Sequence, residues 1–148
     1  MNIKNYADNY LEGLRVLLED FDTDTFEEIV NMILTAYTSE NHIFVMGNGG
    51  SASTASHFAC DLSKNTRLAG SPHFRVIGLN DNMALFSAFA NDEGYENVFA
   101  GQLANLLRPD DIVIGISTSG NSPNVLNGVK MATRMGAKTI GLSGFDGG

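Results

Sequence analysis

Cysteine is nearly absent from this sequence, and its scarcity limits the classes of protein that the chain can encode. The single cysteine, Cys60, can form no internal disulfide and no metal site built from several cysteines. A chain without disulfides is typical of a reducing compartment, and we therefore expect a cytoplasmic location.

Basic residues are also scarce, because 9 lysines and arginines stand against 17 acidic residues, for a net charge of −8. The basic residues are scattered rather than clustered, so we expect no direct contact with nucleic acid, whose phosphates the net charge repels. No apolar run approaches the length of about 18 residues that spans a membrane, and the first residues contain no uninterrupted apolar core. We therefore expect neither a signal peptide nor a membrane partner.

What is present describes a compact globular protein. Hydrophobic residues make up 43% of the 148 residues, charged residues make up 18%, and there are only 3 prolines. A single domain of this size buries roughly two-thirds of the surface that its unfolded chain exposes. The chain can therefore fold without disulfides or metal.

Two amphipathic helices are predicted at the start of the chain. Apolar residues recur at helical spacing from Ile3 to Leu17 and again from Phe26 to Tyr37. Asp22 and the two residues after it are suitable caps for the second helix. The apolar faces exceed what one sheet face needs as cover, so we interpret residues 1–40 as a helical pair for oligomerisation.

A different pattern begins at residue 41, where four short apolar runs alternate with helical stretches. Each run is interpreted as a strand buried on both faces, and the runs are 42–47, 74–79, 111–117 and 138–144. Helices are predicted between and beside them at 53–63, 83–90, 97–107 and 123–135. This alternation predicts an α/β fold, a three-layer α/β/α sandwich around a parallel sheet. The sequence stops just after the fourth run, so we expect the C-terminal part of the domain to be missing from it.

The stretch GNGGSASTASHFACDL begins where the first predicted strand ends. Gly47 to Ser51 have little side chain, so backbone N–H groups at the helix start could approach a phosphate or a sugar. The same glycines could instead form only a tight turn. Gly47, Gly49 and Ala52 also fit the G-x-G-x-x-A pattern of dinucleotide-binding folds, but that fold needs an acidic residue roughly 20 positions on, and none fits well.

A second loop, GISTSGNSPNV, again joins a predicted strand to a predicted helix. Ser117, Thr118, Ser119 and Ser122 surround Gly120, and hydroxyls at a helix start can bind phosphate without lysine or arginine. The alternative is a helix N-cap, but four hydroxyls exceed what one cap requires. Both loops follow parallel strands at the same edge of the sheet, so we expect them to face one crevice.

Together, GNGGSASTASHFACDL, ANDEGY and ISTSGNSPNV resemble the sugar isomerase (SIS) domain family, and within it the phosphoheptose isomerase branch. The resemblance covers most of the chain and implies the flavodoxin-like SIS fold, with residues 41–148 as the phosphosugar-binding domain. It also implies a cytoplasmic homotetramer. The implied reaction converts sedoheptulose 7-phosphate to D-glycero-D-manno-heptose 7-phosphate through an enediol, with a carboxylate as base.

The resemblance also implies roles for individual residues. The substrate would be bound by three groups of residues: Asn48, Gly49, Gly50 and Ser51; Asn91 and Asp92; and Ser117, Thr118, Ser119 and Ser122. A metal-binding histidine and a catalytic glutamate of the family correspond to His57 and Asp61, four residues apart on one helix. His57 and Asp61 would share a zinc ion, and Asp61 would also contact the substrate as the catalytic base. His42 and His73 stand near predicted strand starts and are expected to be structural.

Asp61 is the point at which the sequence departs from the family pattern. Aspartate is one methylene shorter than glutamate, and a displacement of about 1 Å at a reacting group can cost on the order of a hundredfold in rate. His57 and Asp61 could therefore be a plain helix-surface pair. The alternative function is a non-catalytic SIS protein, either a phosphosugar-binding regulator or a tetramer that binds a replication initiator.

Overall fold

The structure is a computed structural model that describes residues 2–148. Those residues form six α-helices, one short 3-10 helix and four strands, which run in chain order as α1 Ile3–Glu19, α2 Thr23–Thr38, β1 His42–Gly47, α3 Gly50–Lys64, β2 Arg75–Gly78, α4 Met83–Asp92, the 3-10 helix Tyr95–Asn97, α5 Val98–Leu106, β3 Ile112–Ser117, α6 Pro123–Arg134 and β4 Lys138–Ser143. The chain divides into two compact units, one up to Asn31 and one from Met32 to Gly148.

The first unit contains α1 and the start of α2, and polar caps begin both helices. The Asn2 side chain accepts the N–H groups of Lys4 and Asn5 at the start of α1. The Asp22 carboxylate accepts the N–H groups of Asp24 and Thr25 in the first turn of α2. The two predicted leading helices are confirmed, and no residue of α1 is buried, so its apolar side chains, including Tyr10 at 65% exposure, face solvent.

The second unit is built on a four-stranded parallel sheet in the order β2-β1-β3-β4. β1 pairs with β3 from Ile43 opposite Ile112 to Gly47 opposite Ile116. This is the flavodoxin-like order, in which the second strand lies outside the first and the third pairs with the first on its other side. The predicted fold class is therefore confirmed.

Burial differs between the central and the outer strands. Every residue of β3 and all of β1 after His42 are buried. The prediction that all four strands are buried on both faces is wrong for β2 and β4, because Arg75 and the last three residues of β4 are exposed. In the sheet that residues 2–148 form, β2 and β4 are the outer strands, and each is paired with one described strand. Their apolar character in the sequence did not distinguish an edge from a centre.

The main hydrophobic core holds α5 and α6 against the central strands. Phe44 and Met46 of β1, Phe99 of α5 and Val125 of α6 belong to one buried cluster. Gly128 lets α6 approach closely, since a Cβ there would lie 2.7 Å from the Met46 sulfur. Burial of side chains of this size stabilises the fold by roughly 1.5–3 kcal/mol each, so this core is a main source of the stability of the second unit.

The amino end of the sheet carries a buried polar cluster around Asp111, which is 2% exposed. Its carboxylate accepts the backbone N–H of His42 at 2.8 Å and that of Arg108 at 2.8 Å. The His42 imidazole lies beside it, with Nδ1 3.9 Å from the nearer carboxylate oxygen. His42 therefore stands at the opposite end of β1 from the loop Gly47–Ser51, called the glycine loop below, as expected from the sequence.

Titration of His42 should make stability depend on pH. Burial lowers the pKa of the imidazole, as does the charge of Arg75 and then that of Arg108, while Asp111 partly offsets them. As the pH drops below the ordinary histidine pKa of about 6.5, the unfolded chain binds a proton more readily than the folded chain does. The stability of the folded chain therefore decreases as the pH decreases. We expect His42→Gln to flatten the decline in melting temperature between about pH 7 and about pH 5.

The control for this prediction is the same pair of proteins at about pH 8, where the imidazole is neutral folded and unfolded and only the packing cost of the substitution appears. The prediction would be contradicted if calorimetry showed that the melting temperatures of wild type and variant decline equally over the acidic range.

Candidate functional site

The predicted ligand loops follow β1 and β3 and lie side by side at the carboxyl edge of the sheet. Gly47 and Ile116 are register partners near the ends of these paired strands, which places Asn48 next to Ser117. From this point the chain runs through α3 to β2 on one side and through α6 to β4 on the other. Such a switch point is where open parallel sheets bind ligands.

The first loop is a tight connection from β1 into α3. A Cβ on Gly47 would lie 2.7 Å from the Ser51 carbonyl oxygen, so only glycine fits there. The Asn80 side chain makes two hydrogen bonds to the same residue. It donates to the Gly47 carbonyl at 2.9 Å and accepts the Gly47 N–H at 3.3 Å. Gly49, with φ of 56°, caps α3 without any side chain. The exposed residues Gly49 and Gly50 thus leave the helix start open to a ligand.

The loop Ser117–Ser122, called the serine loop below, places hydroxyls at the start of α6 without using them as helix caps. The Ser117 hydroxyl donates to the Ser122 hydroxyl at 3.0 Å, and Ser119 Oγ accepts the N–H of Asn121 at 3.2 Å. Ser122 occupies the N-cap position but makes no side-chain capping bond. The N-cap alternative therefore does not explain Ser122, and the exposed Thr118 adds a further hydroxyl to the loop.

A pair of asparagine side chains connects the two loops. Asn48 Nδ2 donates to Asn124 Oδ1 at 2.8 Å, and Asn124 Nδ2 donates to Asn48 Oδ1 at 2.8 Å. The Tyr95 hydroxyl also donates to Asn48 Oδ1, at 3.1 Å. Sequence reasoning assigned no role to Asn124 or Tyr95. A polar residue directly after the helix-starting Pro123, inside an otherwise apolar face, is the signal that could have drawn attention to Asn124.

Asn91 and Asp92 are the last two residues of α4, and both are exposed. Asn91 Nδ2 donates to Asp92 Oδ1 at 2.7 Å. Between residues 2 and 148, no hydrogen bond joins either side chain to the glycine loop or the serine loop. The residue of the ANDEGY segment that reaches the first loop is Tyr95.

His57 and Asp61 lie on one outward face of α3, while Ala55 and Ala59 of the same helix are buried. His57 Nε2 is 3.2 Å from Asp61 Oδ2, and the two side chains are 78% and 48% exposed. The other carboxylate oxygen accepts Asn65 Nδ2 at 2.8 Å. The predicted pairing of these side chains is therefore present in the folded chain.

The fit of zinc to this pair is partial. Structural and catalytic zinc sites use four ligands, at least three of them from protein. In the described part of the chain, no group of three histidine, cysteine or acidic side chains is placed to hold a metal ion. His57 and Asp61 can thus supply two ligands, and a complete site needs others from outside residues 2–148.

Comparison with known proteins identifies the fold and its family. A family model described as the SIS domain matches residues 5–144. The chain belongs to the SIS domain family. The resemblance noted in the sequence is therefore confirmed.

Individual relatives of this SIS domain chain point to one branch. It is 40% identical over 148 residues to a probable phosphoheptose isomerase of Thermoplasma acidophilum, and covers 79% of that protein. It is 40% identical over 137 residues to a phosphoheptose isomerase of Helicobacter pylori, covering 93% of this chain and 70% of the relative. It is 41% identical over 121 residues to a phosphoheptose isomerase of Trichlorobacter lovleyi, and covers 61% of that protein.

Solved structures agree with the sequence relatives. A phosphoheptose isomerase from Neisseria gonorrhoeae aligns with a TM-score of 0.87 at 31% identity, covering 100% of this chain and 78% of that one. One from Francisella tularensis aligns with a TM-score of 0.90 at 28% identity and the same coverage. The chain is therefore a phosphoheptose isomerase-like SIS protein. Among the residues that the structure describes, no helix combines the length and apolar character needed to cross a membrane.

Gly120 should be indispensable to the serine loop. Its φ of 68° is unfavourable for other residues, and a Cβ there would collide with the Gly147 carbonyl oxygen. We expect Gly120→Ala to lower the free energy of unfolding by about 1–2 kcal/mol in a chemical denaturation experiment. The matched control is Gly141→Ala, because a Cβ on Gly141 meets no atom within 4 Å. Equal stability of the two variants would contradict the expectation.

Proposed function

We propose that the complete protein is a phosphosugar aldose–ketose isomerase that converts sedoheptulose 7-phosphate to D-glycero-D-manno-heptose 7-phosphate. The observation that carries this proposal is the group of serine hydroxyls at the start of α6, next to the open glycine loop at the switch point of the sheet. The names of its relatives and structural neighbours support the choice of reaction.

In this proposal the serine loop binds the phosphate of the substrate. Hydroxyls of Ser117, Thr118, Ser119 and Ser122 and backbone N–H groups of the loop can surround a phosphate, which suits a protein of net charge −8. Asn48, Gly49, Gly50 and Ser51 would contact the sugar mainly through their backbone, and Asn91 and Asp92 would contact the sugar chain. Binding energy gained at the remote phosphate would position the reacting carbons.

Asp61 is the proposed catalytic base. Its carboxylate would take a proton from C1, next to the C2 carbonyl, and return it to C2 by way of an enediol, while the O1 hydroxyl gives up its proton and O2 gains one. Without a metal ion, His57 Nε2, 3.2 Å from Asp61 Oδ2, would fix the orientation of the carboxylate. His57 and Asp61 would also be two of the ligands of a zinc ion, which when bound would polarise the carbonyl oxygen.

The proposed working form is a cytoplasmic homotetramer. Support for self-association comes from α1, where no residue is buried and large apolar side chains such as Tyr10 and Leu17 are exposed. Exposed apolar surface of this kind favours protein–protein contact.

A second function is a non-catalytic phosphosugar-binding protein, either a regulator or a tetramer that binds a replication initiator. The aspartate at position 61, one methylene shorter than the glutamate of the family pattern, favours it. The serine loop would keep its role in that case, and the carboxylate would have none.

Turnover of sedoheptulose 7-phosphate by the complete protein separates the two functions. For an isomerase, Asp61→Asn should lower kcat by about 10²–10⁴-fold, because the proton-transfer group is lost. Asp61→Glu should leave activity unimproved if the protein has adapted to the shorter acid. The control is Asp110→Asn, which removes the same charge at an exposed position whose positive φ asparagine tolerates.

Absence of wild-type turnover, with binding of the sugar phosphate retained, would favour the non-catalytic function. Undiminished turnover in Asp61→Asn would remove Asp61 from the mechanism.

A further inference from the structure

We propose that Asn124 is a positioning residue that locks the two ligand loops in register, with the Asn48 side chain as its partner. This inference rests on the proposed function, since the loops are taken to bind one phosphosugar. It adds a role for a residue to which the sequence motifs assign none.

The hydrogen bonds of the pair leave the Asn48 side chain one free donor, the second N–H of its amide nitrogen. Its amide nitrogen and oxygen both bond to Asn124 at 2.8 Å, across 76 positions of sequence. A carbonyl oxygen has two lone pairs. The second one accepts the Tyr95 hydroxyl at 3.1 Å, so the oxygen of Asn48 is fully used.

Asn124 is held rigidly before any ligand arrives. Its side chain is buried, at 1% exposure, and its Oδ1 also accepts the backbone N–H of Val125 at 3.0 Å. That N–H belongs to the first turn of α6, which has no intrahelical acceptor for it. Because a buried amide left without partners is destabilising, Asn124 favours the arrangement in which it meets Asn48.

The pair extends the alignment of the two segments beyond the end of the sheet. Ladder hydrogen bonds fix β1 against β3 only as far as Gly47 and Ile116. The glycine loop and the start of α6 lie beyond that point, where the Asn48–Asn124 pair joins them directly. A sugar phosphate that spans both loops needs a fixed spacing between them, and a misplacement of about 1 Å can cost a hundredfold in rate.

Tyr95 ties the ANDEGY segment to the same cluster. Its ring contacts Phe86 edge-on, with centroids 5.8 Å apart, while the side chain is 52% exposed. One hydrogen-bonded cluster therefore joins residues from all three segments that the sequence singled out. Asn124 supplies its buried member.

Hydrogen exchange in the ligand-free protein tests the lock without reference to catalysis. We expect Asn124→Ala to speed amide exchange at Ser51 and Ala52 by about tenfold or more, because their N–H groups bond to the carbonyls of Asn48 and Gly49. The control is Val125→Ala, which truncates the adjacent buried residue of the same helix but removes no side-chain bond to Asn48. Asn48→Ala, at a half-buried position, should reproduce the effect at Ser117–Asn121.

Ligand affinity, measured by calorimetry, tests whether a fixed spacing of the two loops supports binding of a sugar phosphate that spans them. Asn124→Ala should weaken sedoheptulose 7-phosphate binding by about tenfold or more, since both loops contact that ligand, and inorganic phosphate binding at the serine loop by less than about twofold. The variant with both asparagines replaced should be no worse than either single variant, because residues that act as one unit are not additive.

Two results would overturn the inference while leaving the proposed function intact. One is first-loop exchange in Asn124→Ala no faster than in Val125→Ala. The other is additive losses of sugar phosphate affinity in the two asparagine variants. If the wild-type protein binds neither ligand, the proposed function fails instead, and the exchange rates still decide whether Asn124 locks the loops.

Discussion

Parallel pairing of β1 with β3 is the constraint on which the rest of the second unit depends. These two strands are buried almost throughout, and their register sets Gly47 opposite Ile116. Because both strands run in the same direction, the loops that follow them emerge at one edge of the sheet. The helices α3 and α6 then start beside each other, and the polar side chains of both loops meet there.

The chemistry of this edge follows from the neutral character of its donors. A protein of net charge −8 offers no general attraction for a phosphate, so affinity has to come from hydroxyls and N–H groups placed at short range. In the proposed function, such donors would be effective only when they are held in position before the ligand binds. The close approach at Gly47, the unusual backbone at Gly120 and the paired asparagines all serve to hold them.

Most of the architecture could be predicted from the sequence, because buried parallel strands and capped helices leave local patterns such as HIFVMG and the proline at the start of α6. The exposure of β2 and β4 could not, since an edge strand and a central one can have similar composition. The serine loop could be recognised in the sequence from its motif, ISTSGNSPNV. The role of Asn124 could not, because its partner Asn48 is 76 positions away and only the folded sheet brings them together.

The most direct test of a single phosphosugar crevice is an NMR titration of the complete protein with sedoheptulose 7-phosphate, observed at the backbone amides. Amides of Gly49–Ser51 and Ser117–Ser122 should shift together along one saturation curve, while those around His42 and Asp111 at the opposite end of the sheet should stay in place. Shifts confined to one loop, or centred on the opposite end, would contradict the presence of one site formed by both loops.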